Sequence, residues 1–337
     1  MSQENTDWSL SSVLFVVMFV NISSLNYTKI NPLLEESFII YGLTLTSNVL
    51  ILVVGSFGNV LLLISSIGSG ALGMDLVSTM LVEILAVSDI LLIFTWYGPS
   101  LVTLVCRGWV LGAQMCFIIP TVQIAITAYE IFLISLLSVY RMWKLLRGFE
   151  AGRVSKRKVV NVSVALAVIS VLLSGSIAVS GRTNYSPEHI GCYRYHKQDS
   201  PLVQMTGIVF IAIPMVLILV INLSLLYIVT RSAARSGSSS KRTNIALISI
   251  SFAFVLSYVL CVMVAFGFDC KSSAEFELLL TFFASINAVT TPIISFVTIL
   301  NFRRHIMNSL GSLVSSTGPN HWDQGDQGDR DEIDQSI

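Results

Sequence analysis

The sequence predicts an all-α membrane protein, a bundle of seven transmembrane helices with an extracellular N-terminus and a cytoplasmic C-terminus. Three observations predict it. Of 337 residues, 54% are apolar and only 12% are charged, with a mean hydropathy of +0.77; a soluble domain carries about a quarter charged residues. Seven apolar stretches reach the roughly 17–25 residues that a spanning helix needs. The Lys and Arg residues gather on one side of those stretches, as they do at the cytoplasmic face of membrane proteins.

The stretches lie near residues 40–66, 75–98, 114–142, 158–180, 203–229, 244–267 and 277–300. Period-two alternation is absent from them, which excludes a membrane β-barrel. With seven spans the termini lie on opposite sides. Placing the N-terminus outside puts 14 of the 20 Lys and Arg residues inside: seven between Arg141 and Lys158, four between Arg231 and Arg242, then Arg303, Arg304 and Arg330. Lys29, Arg107, Arg182, Arg194, Lys197 and Lys271 remain outside. Net charge is zero, so the distribution of charge carries the information. It points to membrane lipids as neighbours and to no nucleic-acid partner.

Residues 1–39 form the extracellular segment, which carries two glycosylation sequons, at Asn21 and Asn26. Its apolar run Val13–Val20 is too short to span. The run suits a signal-peptide core, but the preceding MSQENTDW is acidic and lacks the usual positive flank. Both readings stay open. Residues 40–305 hold the helices and a short amphipathic helix. Residues 306–337 form an acidic cytoplasmic tail with little to bury, expected to be disordered. The Ser/Gly-rich loop from Ser232 to Ser240 is too small to be a domain.

Ionisable residues inside spans are costly and usually functional. Asp89 stands near the middle of the second span; the third contains Glu130 and ends in Arg141. At 100° per residue, Gln123, Thr127, Glu130, Ser138 and Arg141 fall on one stripe of the third span. This stripe faces the bundle interior and is read either as a polar relay or as a satisfied structural network. Both acids, Asp89 and Glu130, must find partners in low dielectric; should they meet, they cannot both ionise cheaply and need a cation or a shared proton. Asn287 is a further candidate ligand. No cofactor is expected beyond a Na+ ion, with Asp89 as its candidate ligand.

Prolines 99, 120, 214 and 292 interrupt spans and permit bends. Cys261 lies within the sixth span as a buried apolar filler. Cys106, Cys116, Cys192 and Cys270 lie at the outer face, where disulfides are permitted.

In order and spacing these residues resemble the rhodopsin-like (class A) G-protein-coupled receptors over about residues 40–305. Gly58-Asn59-Val60-Leu61 is similar to the family's Gly-Asn-x-Leu, and Leu85-Ala86-Val87-Ser88-Asp89 to its Leu-Ala-x-x-Asp. Trp109, Gly112 and Cys116 approximate the Trp-x-Phe-Gly-x-x-x-Cys pattern, and Arg141 follows Cys116 at the family spacing of 25 residues. Pro214 fits the fifth-span proline, and Thr291-Pro292-Ile293-Ile294-Ser295 stands where Asn-Pro-x-x-Tyr is expected. Asn301-Phe302-Arg303-Arg304 resembles the start of the amphipathic helix after the seventh span.

The chain is a divergent member by this reading. Asp/Glu-Arg-Tyr is replaced by Tyr140-Arg141-Met142, so the acid that restrains the arginine is missing. In the sixth span Phe254 and Tyr258 fill the first two places of Phe-x-x-x-Trp-x-Pro, and Leu260 replaces the proline. Asn222 and Ser295 take the places of the fifth- and seventh-span tyrosines, and the fourth span lacks its tryptophan.

The resemblance implies a non-enzymatic plasma-membrane receptor that signals to a heterotrimeric G protein. Tyr140, Arg141, Thr291, Pro292 and Ser295 would serve activation, and a Cys116–Cys192 disulfide is implied, with Cys106–Cys270 as a second candidate. Gln123, Thr127, Tyr258 and Ser285 would line the ligand pocket. Gln123 stands where amine receptors carry an aspartate, and Ser285 where opsins carry a retinal-binding lysine. The ligand is therefore expected to be neither an amine nor retinal. The loop GCYRYHKQDSP, with Arg194, His196 and Lys197, reads either as a contact surface for a peptide or acidic ligand or as an ordinary solvated loop. With no acid beside Arg141, ligand-independent signalling is expected, reduced by Tyr140→Asp. The reading from a different class is a secondary transporter or proton channel built on Asp89 and Glu130, though no internal repeat of the kind transporters show is present.

Overall fold

The computed structural model describes residues 38–69, 74–106, 108–147, 155–180, 182–186, 191–195, 208–231, 238–265, 287–299 and 302–308. The expectations for Asn21, Asn26, Val13–Val20, His196, Lys197, Cys270, Ser285 and the tail beyond residue 308 lie outside the described residues.

The described residues open with one rod: α1 (Phe38–Leu50), a π-helical turn (Ile51–Gly55) and α2 (Ser56–Ser69). Then come α3 (Leu76–Val105), α4 (Gly112–Arg147) and α5 (Lys156–Ser180). A second π-helical turn (Ile208–Ala212) leads into α6 (Ile213–Arg231), followed by α7 (Ser238–Ala265). Two helical stretches, α8 (287–298) and α9 (302–308), complete the described chain. Five of these helical segments are long and apolar enough to cross a membrane: Tyr41–Ser66, Leu76–Val105, Gly112–Arg147, Lys156–Val179 and Val209–Arg231. A shorter apolar helix covers Asn244–Val259.

Helix boundaries follow local chemistry. Asp75 caps α3, its carboxylate accepting the Ser78 backbone N–H and hydroxyl. Gly112 starts α4 at φ 80°, a conformation that glycine adopts without strain, while Trp109 donates its indole N–H to the Gly112 carbonyl. The second span runs beyond its expected end at residue 98, because Pro99 sits inside α3 without ending it. In α6 the π-helical turn immediately precedes Pro214, whose missing N–H loosens the ladder there. With Leu260 in the proline place, α7 is unbroken.

The all-α expectation is corrected at one point. Arg182–Ser186 and Gly191–Tyr195 form an antiparallel hairpin, β1 and β2, with Tyr185 opposite Cys192. The hairpin lies in the loop after α5 and against α4. Its strands are five residues each, too short to span, and pair each other's backbone groups. A search for spanning alternation overlooks it.

Packing divides faces as a bilayer requires. Leu43, Val53, Val168, Leu172, Val216 and Val220 are exposed apolar residues on the outer faces of α1, α5, α6 and the first π-helical turn. Inside, one cluster joins Leu62, Leu81, Leu133, Leu137, Leu247 and Phe302 near the Arg141 end. A second joins Leu85, Ile131, Ile134, Ile218, Phe254 and Tyr258. In α9, Phe302 and Ile306 are buried while Arg303 and Arg304 are exposed, the amphipathic pattern expected there.

Candidate functional site

The polar residues of α4 fan out to different neighbours. At the Cys116 end, Gln123 is half-buried, and its Nε2 donates to the Thr95 carbonyl on α3 at 2.9 Å. That carbonyl lacks its helical partner because residue 99 is proline. Thr127, one turn on, is half-buried. Cys116 and Cys192 are joined in a disulfide that ties α4 to β2. Cys106 carries a free, exposed thiol, and its expected partner lies outside the described residues.

Midway, Asp89 of α3 and Glu130 of α4 are both fully buried and interact with one another. Thr291 lies beside Asp89, and Tyr258 beside Glu130. None of the four carboxylate oxygens has a hydrogen bond of ordinary length and angle among the described residues, and neither has Nδ2 of the buried Asn287. A buried polar atom without a partner costs about 1–3 kcal/mol, more if charged. Two carboxylates with Thr291 at hand make an oxygen-rich donor set, the chemistry of a hard cation. The residues fit Na+. Tyr258 also packs on Phe254 with ring centroids 4.7 Å apart.

Below this pair, Asn222 of α6 donates to the Ser138 hydroxyl at 2.9 Å and to the Ile218 carbonyl at 2.7 Å. On α8, the Ser295 hydroxyl donates to the Thr291 carbonyl, and Thr291 to that of Asn287. Pro292 packs against Gly58, where a Cβ would stand 2.8 Å from the ring. Asn59 donates to the Ala288 carbonyl at 2.7 Å and to that of Gly55 at 3.0 Å. Gln123, Ser138 and Arg141 share a stripe with Glu130, yet their hydrogen-bond partners sit on α3, α6 and α7 respectively. These three are interhelical clasps.

At the far end of α4, Arg141 donates through Nη1 to Asn244 Oδ1 of α7 at 2.7 Å. Its Nε has no partner among the described residues. Tyr140 turns the other way, its hydroxyl donating to Asp75 Oδ2 at 2.7 Å. Lys144 meets Asp75 Oδ1 at 2.9 Å, an ion pair. Burial alone would raise the Asp75 carboxyl. The Tyr140 hydroxyl, the Lys144 ammonium and Ser78 outweigh it and hold the group at about 2, so Asp75 is ionised at neutral pH.

Asp75, Asn244 and Lys144 were not singled out from the sequence. Asp75 left a faint signal: an acid opening a span on the side where Lys and Arg gather. The sequence places no acid beside Arg141, but Asp75, from the start of α3, lies within its Coulombic reach.

Residues 58–295 match the family described as 7 transmembrane receptor (rhodopsin family). The chain belongs to this family. No curated protein matches it. Membership makes this protein a membrane receptor of helical-bundle type, and the family consists of receptors that sense extracellular ligands and signal through G proteins.

Proposed function

We propose that this receptor sits in the plasma membrane with its N-terminus outside. It binds a peptide or other non-amine extracellular ligand and promotes nucleotide exchange on a heterotrimeric G protein. The observation that carries the reading is the Arg141–Asn244 hydrogen bond between α4 and α7. It lies 25 residues, roughly 37 Å of helix, from the Cys116–Cys192 bridge at the other end of α4. A polar tie of this kind can part when two helix packings interconvert, and a ligand shifts that balance by binding one packing better. Gln123 supports the non-amine part, since it offers no carboxylate to an ammonium and its amide nitrogen is engaged with Thr95. Na+ at Asp89 and Glu130 would neutralise one acid and hold α3 to α4.

The test is a ligand-library screen with G-protein dissociation as readout, beside substrate flux in proteoliposomes. Ligand-dependent dissociation supports the proposal. Flux dependent on Asp89 and Glu130, with no ligand producing dissociation, would overturn it in favour of transport, a reading the family match does not support.

A further inference from the structure

We infer that Asp75, at the entrance of α3, is the acid that restrains the Arg141 end of α4 in this chain. The acid has in effect moved from α4, where Tyr140 now stands, to a neighbouring helix. Three side chains converge on its carboxylate, beside the capping Ser78 N–H: the Tyr140 hydroxyl at 2.7 Å, the Lys144 ammonium at 2.9 Å and the Ser78 hydroxyl at 2.9 Å. Tyr140 and Lys144 are four residues apart on α4 and so lie on one face of it, which makes the grip two-pointed. Arg141, between them in sequence, is left to reach Asn244 on α7.

The two clasps differ in what they hold. Asp75 pins α4 to α3, which also pack through Leu81, Leu133 and Leu137. The Arg141–Asn244 bond pins α4 to α7, which also pack through Leu133, Leu137 and Leu247. Separation of α7 from α4 at this end has to break the Asn244 bond, while Asp75 sets the position from which Arg141 reaches it. Asp75 is a positioning residue: it acts on Arg141 through Tyr140 and Lys144. Losing its charge frees the α4 end to rotate, lengthens the Arg141–Asn244 bond and shifts the receptor toward its signalling packing. This role rests on the receptor reading above, but the clasp itself does not.

The alternative role for Asp75 is that of a helix cap alone, and substitution chemistry separates the two. Asparagine caps as well as aspartate but carries no charge; glutamate keeps the charge but is not a favoured cap. The experiment compares the full-length receptor with Asp75→Asn, Asp75→Glu, Tyr140→Phe and the double variant Asp75→Asn/Tyr140→Phe. It measures thermal unfolding in detergent and ligand-independent nucleotide exchange on purified G protein. The clasp requires Asp75→Asn and Tyr140→Phe each to lower the unfolding midpoint, the double variant to fall by less than their sum, and Asp75→Glu to lose no more midpoint than its weaker cap costs. It also requires several-fold higher basal exchange in Asp75→Asn, restored in Asp75→Glu. An Asp75→Asn variant as stable and as quiet as the parent, with Asp75→Glu impaired, reduces Asp75 to a cap and overturns the inference; so do additive single effects. If no form exchanges nucleotide, the receptor reading fails, and the unfolding cycle still decides the clasp.

Discussion

Asn59 donates its side-chain amide to the carbonyl of Ala288 at 2.7 Å, bridging 229 residues of chain. The carbonyl is available because Pro292, four residues on, has no N–H to offer it. The same proline packs on Gly58, where a Cβ would lie within 2.9 Å of two ring atoms. A glycine, an amide and a proline thus fix how closely α2 and α8 approach. Asn59→Ala should lower stability by about 1–3 kcal/mol, the cost of a buried unpaired carbonyl. Adding Pro292→Ala should recover part of that loss by restoring the missing N–H. Thermal unfolding of the two variants checks this; an Asn59→Ala protein as stable as the parent would show the bond to be incidental.

Gln123 and Thr95 repeat the device on another pair of helices, with Pro99 freeing the carbonyl. Gln123→Leu should therefore destabilise the receptor more than a half-buried polar-to-apolar change usually does. In a Pro99→Ala background the same substitution should cost less. Equal costs in both backgrounds, read from unfolding midpoints, would remove the proline from the explanation.

These two clasps show what was legible in the sequence. Prolines, glycines and intramembrane amides could be read individually, because each changes what the helix backbone or its neighbour can do. Their pairing could not: Asn59 finds Ala288 only once α2 and α8 are packed. Asp89 and Glu130 could be paired in advance only through the register that the family resemblance implies, and the structure brings them together. Asp75 escaped attention because a helix-capping acid at a span boundary looks ordinary until Tyr140 and Lys144 turn toward it. The hairpin at Arg182–Tyr195 escaped because five-residue strands leave little periodicity in a loop sequence.

Tyr140→Asp now carries a conditional expectation. The new acid gains Arg141 as a charge-assisted partner, but it faces Asp75 where a hydroxyl donated before. Two carboxylates in contact oppose the closed packing. In the parent background the substitution should leave basal signalling unchanged or raise it. In an Asp75→Asn background it should lower it. Basal nucleotide exchange of the four combinations decides, and a reduction of equal size in both backgrounds would mean Asp75 does not sense residue 140.

Acid should loosen the same clasp. The Asp75 carboxyl is held at about 2, below the ordinary aspartate value of about 3.9. A depressed carboxyl contributes stability that is fully present above the unfolded value and is lost as pH falls through the folded one. The parent should therefore lose more stability than Asp75→Asn between about pH 4 and pH 2, and the gap between them should close at the acid end. Parallel unfolding curves across that range would contradict the assignment.

The buried acids Asp89 and Glu130 set the last prediction. They interact on adjacent helices, fully buried, with no well-formed hydrogen bond to any of their oxygens among the described residues. Two negative charges in such a site repel unless a proton or a cation neutralises one of them. Proton and cation then compete for the same oxygens. Added Na+ should stabilise the receptor, and the gain should shrink as pH falls because protons already fill the site. Glu130→Gln relieves the repulsion and removes half of the anionic donor set, so its unfolding midpoint should respond weakly to Na+ at every pH. Removing both acids should abolish the response. The measurement is thermal unfolding against Na+, from zero to physiological levels at several pH values, and it needs no ligand. Curves that coincide for the parent and Glu130→Gln would break the coupling and leave Glu130 as a residue held neutral by its surroundings.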